Sequence, residues 1–373
     1  MYQLLFKRSF PALAATADFL FLTLLREYSR MDLQSITGPF AQIGQGIMMA
    51  LLGLAVLAGV GGLCNVSSKE PMADTPLRWI FFGMNLVFGA GFVAICWLHY
   101  RIYQTLPLEF PASIVPLVNQ QLEVINAQAQ YAFPLIDPMH PPRYIIPLWV
   151  ENEKYYFWFM CYSCMAFFAF CQAASHRLRG ALLLALAIQV GILFGVANPF
   201  LQPLPKFFAE IGAWHAAADD TRQMFGVFMR LYPRMIFYYN TPYMWLHPPM
   251  LFLSYSAVTV TFITSVFMLV KRDVEIEALG YDSAKFGYFM LTLGMLLGYP
   301  WALQAWGPNW WWDPKICSSI MMWAIYSTYL HTRLYANKKS MWYFTSTLGI
   351  VCFVAMVFTF VSSFYFPGEH TFQ

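Results

Sequence analysis

Charge is what this sequence has least of. Asp, Glu, Lys and Arg together supply 11% of its 373 residues, whereas a soluble domain of that length carries about a quarter. No water-facing surface can be assembled from so few ions, which excludes a purely soluble globular protein. The net charge of +3 is too small to hold a phosphate backbone, so nucleic acid is not expected as a partner. The seven cysteines are scattered, mostly within apolar runs, and do not form a disulfide framework. Gly-rich phosphate loops, nucleophile–base pairings, low-complexity segments and internal repeats are all missing. No cleavable signal peptide is expected; the first apolar stretch, after Lys7 and Arg8, would act as an uncleaved anchor.

What the chain has instead is apolar and aromatic mass. Hydrophobic residues make up 59% of it and the mean hydropathy is +0.51, with 35 Phe, 22 Tyr and 13 Trp. Runs close to the roughly 20 residues that span a bilayer fall at 41–64, 78–100, 155–175, 181–200, 245–270, 284–304, 316–335 and 343–365. A shorter run from Phe10 to Leu25 contains Asp18 and either spans or lies in the interface. The expected fold is therefore an all-α polytopic membrane protein with eight or nine transmembrane helices. Two longer connections, 101–153 and 201–243, are rich in Pro and aromatics and are expected outside the membrane. Lys7 and Arg8, Lys69, Arg177 and Arg179, Lys271 and Arg272, and Arg333 with Lys338 and Lys339 fall on one side of a nine-helix arrangement. That side should face the cytoplasm or its organellar equivalent. The two long connections, a Trp-rich loop and the C-terminus then lie on the outer side.

That Trp-rich loop is the densest chemical signal. Trp301, Trp306, Trp310, Trp311 and Trp312 place five indoles within twelve residues, interleaved with Gly307, Asn309, Asp313 and Lys315. An interfacial aromatic belt accounts for isolated Trp residues. A cluster this dense also suits a flat apolar ligand with carboxylate substituents. Indole faces can stack on it, and Lys315 with the amide dipoles of a helix start can meet its carboxylates. Chemistry alone leaves both readings open.

The stretch AWGPNWWWDPK, Ala305 to Lys315, resembles the tryptophan-rich "WWD" signature of the haem-handling proteins of cytochrome c biogenesis. WAIYSTYLHTRLY, Trp323 to Tyr335, is similar to the CcsA/ResC branch, which pairs that signature with a YLHTR helix end. Ala197 to Phe200 (ANPF) and Tyr239 to Tyr255 (YNTPYMWLHPPMLFLSY) resemble motifs shared with the related CcmF proteins; CcmC is a further relative. The resemblance covers residues 151–373, implying a WWD-type haem-handling membrane domain there. Residues 1–150, read as N-terminal membrane helices plus a long outer loop, match nothing. No CxxCH occurs, so the chain is not itself a c-type cytochrome.

In the resembled family two outer histidines flank the WWD turn and ligate haem iron, and a third lies near the inner end of the following helix. His247, in Leu246-His247-Pro248-Pro249, matches the first; His370, after Pro367-Gly368-Glu369, takes the place of the second; His331 matches the inner one. Neutral imidazole is a standard iron ligand. His176 is expected at an inner helix end, where with His331 it could form a second site. His99 is a poorer mate for His331, and His140 and His215 in the long connections are expected to be solvated. The resemblance thus implies a site of His247, His370, His331, His176, Trp306, Trp310, Trp311, Trp312, Asp313 and Lys315, with iron on His247 and His370. One departure stands out: the family places an acid directly after Asp-Pro-Lys, where this chain has Ile316.

Two weaker signals complete the reading. Cys161 and Cys164 sit one turn apart, which would put both thiols on one helix face. Glu151 and Glu153, beside Trp149, open a helix where acids suit the dipole. The resemblance implies non-covalent, b-type haem, presented on the outer face for attachment to apocytochrome c. It also implies a ResB/Ccs1-type membrane partner, a thiol-reducing thioredoxin-like protein and the lipid bilayer. A haem-b electron-transfer subunit and a haem-free assembly subunit stay open beside it.

Overall fold

A computed structural model describes residues 12–67, 72–109, 114–127, 132–217, 220–335 and 339–366, with side chains from Ile36 onward. Eleven named α-helices run through these residues: α1 Ala12–Ser67, α2 Asp74–Thr105, α3 Val115–Asn126, α4 Glu153–Gln172, α5 His176–Val196, α6 Pro205–Ala216, α7 Thr221–Arg234, α8 Tyr243–Val270, α9 Val274–Trp306, α10 Pro314–Thr332 and α11 Lys339–Tyr365. No strand forms among the described residues beyond one isolated bridge, Pro107 to Arg143.

Six helices among the described residues are long and apolar enough to cross a membrane: α1 over Ile36–Ser67, α2, α5, α8, α9 and α11 over Ser340–Ser362. Two further helices anticipated as spans, α4 and α10, have 20 and 19 residues. Their length suffices, but tyrosines, serines and polar ends keep them below the apolarity of the other six. The run from Phe10 to Leu25 is not a separate element; from Ala12 its backbone continues within α1, through Pro39.

The chain divides into two compact units, the first holding Met1–Gln42, Cys96–Pro147 and Leu204–Asn240, the second the remainder. In the first unit the long connections are not bare loops. They carry α3, α6 and α7, of 12, 12 and 14 residues, too short to span. Asparagine side chains hold the strandless segment between them. Asn119 pairs both ways with Ile136 at 2.8 and 2.9 Å, and Asn126 both ways with Phe133 at 2.7 and 2.8 Å. Asn240 bridges the Ile145 amide and the Arg143 carbonyl at 2.9 and 2.8 Å. Pro233 removes a helix donor near the end of α7, and a π-helical turn, Met235–Tyr239, follows.

In the second unit α8 is the most enclosed of the six apolar helices. It forms an antiparallel hairpin with α9, and glycines on α9 let the two approach. A Cβ at Gly280 would meet Thr264, one at Gly287 would meet Ala257 and the Tyr326 hydroxyl, one at Gly294 would meet Leu251, and one at Gly298 would meet His247. Such small-residue seams bring membrane helices into van der Waals contact. Four hydroxyls on α8 return to the carbonyl four residues back: Ser256, Thr259, Thr261 and Thr264, at 2.8 to 3.2 Å. Around this hairpin pack Tyr326 and Tyr329 of α10, Cys352 and Met356 of α11, and Trp158 of α4, whose ring stacks on Phe360 at 4.9 Å.

Candidate functional site

The site is built where α8 begins and α9 ends. Pro248 and Pro249 lie inside the first turns of α8. Pro248 has no N–H, so the Met244 carbonyl loses its helical donor. The Trp149 indole N–H replaces it at 2.6 Å, and the Trp149 ring meets Trp245 edge-on at 5.6 Å. His247, just before this proline pair, is half-buried against α9. Its Nδ1 lies 2.6 Å from the carbonyl oxygen of Gly294. A carbonyl can only accept, so Nδ1 carries the proton and the lone pair sits on Nε2. The imidazole leans on Trp301 at 6.0 Å and 29°, and Trp301 meets Trp306 at 4.7 Å.

Gly307 takes φ +74°, a left-handed conformation that favours glycine, and reverses the chain out of α9. The Trp-rich loop is then a short 3₁₀ helix, Gly307–Trp312. Trp310 and Trp311 stack at 5.1 Å and 8°, and Tyr299 meets Trp310 edge-on at 5.4 Å. Trp311 is 50% exposed and Trp312 83%, so two indoles offer open faces. His247 and this turn, 60 to 65 residues apart in sequence, are joined through Trp301.

Asp313 is buried and caps α10, accepting from the amides of Lys315 at 2.9 Å and Ile316 at 3.3 Å. The Cys317 amide is taken by the Asp313 carbonyl, and Pro314 has none. This corrects the expectation that the helix-start amides meet a ligand's carboxylates: the chain consumes them itself.

The other candidates lie elsewhere. His331 is in the last turn of α10, eighteen residues past Asp313, about 27 Å along a helix. It is exposed, its Nδ1 bonded to the Ser327 carbonyl at 2.8 Å, in an open groove with Thr328, Tyr335 and Met341. Beside it Arg333 pairs with buried Glu277 and lies over the Tyr281 ring at 5.2 Å. His176 opens α5, with Nε2 buried and unpartnered among the described residues. His370 lies outside the described residues.

His140 is exposed as expected and pairs with Asp137 at 2.8 Å; that hydrogen bond holds the Asp137 carboxyl below its ordinary range. His215 departs from the solvated expectation: burial lowers its pKa, and its Nε2 is shut from solvent. His99 is buried, donating from Nδ1 to the Ile146 carbonyl at 2.9 Å. Cys161 is buried while Cys164 is exposed, so the two thiols do not share an environment. Glu153 is fully buried at the start of α4, and Glu151 has a φ of +47°. Sequence reasoning missed Trp149 as a carbonyl cap, Gly294 as a histidine acceptor and Gly298 as its neighbour. The glycine period at 280, 287 and 294 was the signal available for the last two.

An imidazole with its lone pair on Nε2, next to a file of indoles, is the donor set a flat metallated macrocycle needs. No group of three or more His, Cys, Asp or Glu able to hold a bare ion occurs among the described residues. Residues 149–370 match the profile of the family described as Cytochrome C assembly protein. The chain belongs to the cytochrome c assembly protein family. Among curated relatives, the chain is 47% identical over 63 residues to "Cytochrome c biogenesis protein CcsA" of Prochlorococcus marinus, covering 17% of this chain and 20% of that one. It is 42% identical over 84 residues to the protein of that name from Cyanidium caldarium, covering 21% and 28%. The Synechococcus protein of that name is 40% identical over 65 residues, covering 17% and 21%. Matched stretches thus span between a fifth and just over a quarter of these relatives' own length. No solved structure matches the chain.

Proposed function

We propose that this protein binds haem non-covalently at the α8–α9 end and presents it for attachment to apocytochrome c. The observation that carries the reading is the Nδ1–Gly294 contact, which turns the His247 lone pair onto Nε2 beside Trp301 and Trp306. His247 and His370 would hold the iron. Trp306, Trp310, Trp311 and Trp312 would lie against the macrocycle, Asp313 fixes the turn, and Lys315 would meet a carboxylate substituent. Bound haem would supply the iron and the groups that become thioethers, and this chain would hold and orient it. His331 and His176 stand as ligand candidates for haem on the opposite side.

Lys271, Arg272 and Arg333 flank the ends of α8, α9 and α10 away from the Trp turn, which supports an outer placement of that turn by the positive-inside rule. With α4 and α10 crossing as well, the span count is eight. The membrane is then a bacterial cytoplasmic membrane or its organellar equivalent. A ResB/Ccs1-type membrane protein and a thiol-reducing thioredoxin-like protein complete the system, the latter keeping the apocytochrome thiols reduced.

The test is an absorption spectrum of gently purified protein, oxidised and reduced, for wild type, His247→Ala and His370→Ala. Both variants should lose haem and c-type cytochrome yield, and added imidazole should restore part of each. Full haem content and activity in both single variants would remove them from the site. A stoichiometric, redox-active haem in a protein whose deletion leaves cytochrome c maturation intact would favour electron transfer instead.

A further inference from the structure

We infer that Gly298 and the carbonyl of Gly294, one turn apart on α9, are the positioning elements that hold the His247 imidazole in its metal-binding tautomer and ring plane. This rests on His247 acting as an iron ligand. The α9 glycines do not all face the same kind of neighbour. Gly280, Gly287 and Gly294 lie against Thr264, Ala257 with Tyr326, and Leu251, so they serve helix packing; Gly298 lies against an imidazole. A Cβ there would stand 2.6 Å from both Cε1 and Nδ1 of His247, closer than any carbon contact allows. Gly298 sits inside α9 without a left-handed φ, since Gly307 is the one glycine that has it among the described residues. A helix interior disfavours glycine relative to alanine, so its contribution here is space.

The ring is thereby fixed from three directions. Gly294 holds the Nδ1 edge at 2.6 Å, the bare backbone of Gly298 receives the ring, and Trp301 leans on it at 6.0 Å. Partners of this kind orient a metal-bound histidine and raise its basicity, and their loss costs on the order of 10–100-fold in affinity. Alanine at 298 would push the imidazole outward, break the Nδ1–H contact and free the ring to rotate.

The experiment uses the full chain in detergent, titrated with haemin, with bound haem expressed per folded, membrane-inserted molecule. Gly298→Ala should lose roughly ten-fold or more in haem affinity, with an altered low-spin spectrum and midpoint potential, and exogenous imidazole should restore the spectrum. Gly287→Ala, in the same seam about three turns away, should bind haemin normally and show no response to imidazole. Wild-type affinity and midpoint in Gly298→Ala would overturn the assignment, as would an equal, imidazole-rescued loss in Gly287→Ala. His247→Ala is measured alongside: retention of haem there would overturn the ligand reading and the assignment with it, whereas loss there with none in Gly298→Ala would overturn the assignment alone. Where Gly298→Ala fails to insert, nitrogen NMR of ¹⁵N-histidine-labelled wild type decides. A proton on Nδ1 of His247 supports the inference, and a proton on Nε2 overturns it.

Discussion

Trp149 and Pro248 offer the sharpest test of how the site is braced. Pro248 deprives the Met244 carbonyl of its helical donor, and the Trp149 indole supplies one at 2.6 Å. Met244 is 6% exposed, so water cannot readily take over. Trp149→Phe should therefore leave a buried acceptor unpaired, at a cost of about 1–3 kcal/mol, beyond the smaller loss from the edge contact with Trp245. In a Pro248→Ala background the helix regains its own N–H at that carbonyl, and the same Trp149→Phe change should cost only the ring contact. Denaturant unfolding in detergent, followed by near-UV circular dichroism, gives all four corners of the cycle. The expected coupling is about 1 kcal/mol or more. Additivity within about 0.5 kcal/mol would refute the link between the two residues.

Removing one member of the Glu277–Arg333 pair strands a buried charge: Glu277→Gln or Arg333→Met should each cost about 3–5 kcal/mol. The double variant should be milder, as thermal unfolding will report. Asp313→Ala uncaps α10 and should cost about 0.5–2 kcal/mol, with Asp313→Asn nearly neutral, measured the same way. Cysteines placed at Trp312 and Tyr335, both exposed, should be labelled by impermeant reagents from opposite sides of the membrane; labelling from one side would overturn the proposed orientation. Burial lowers the His215 pKa, so the unfolded chain binds the proton more readily. Stability from this group is present above its ordinary pKa of about 6.5 and declines as pH falls below it; His215→Gln should flatten that loss in amide exchange of the first unit.

The apolar runs and the Trp-rich turn were legible because each is a local property of the sequence. Period, length and composition report what a segment can bury, so α2, α5, α8 and α11 match their runs within about five residues, while α9 begins ten residues before its run at 284–304. The first helix was harder: nothing in residues 26–40 is apolar enough to signal continuity, yet the backbone stays helical from Ala12 to Ser67. The long connections read as loops because α3, α6 and α7 are short and flanked by prolines, and because their asparagine clamps reach across 7 to 97 residues. His247 was singled out through its motif. Its acceptor was not, since a backbone carbonyl has no letter in the sequence. The amide supply at α10 was misjudged for a related reason: Asp313 reads equally well as a ligand contact or as a cap, and only the 2.9 Å bond to Lys315 distinguishes them.

The hydroxyls of α8 also bear on how the protein is made. Ser256, Thr259, Thr261 and Thr264 each return to a carbonyl of their own helix, so their polarity is satisfied before any neighbour arrives. A helix of this kind can leave the translocation machinery and rest in lipid alone, despite being destined for the most enclosed position. Its glycine-bearing partner then meets four hydroxyls that are already paired. The centre of the second unit can thus be put together by the docking of finished helices, and an assembly defect at the seam would leave inserted but unpaired segments for membrane proteases to find.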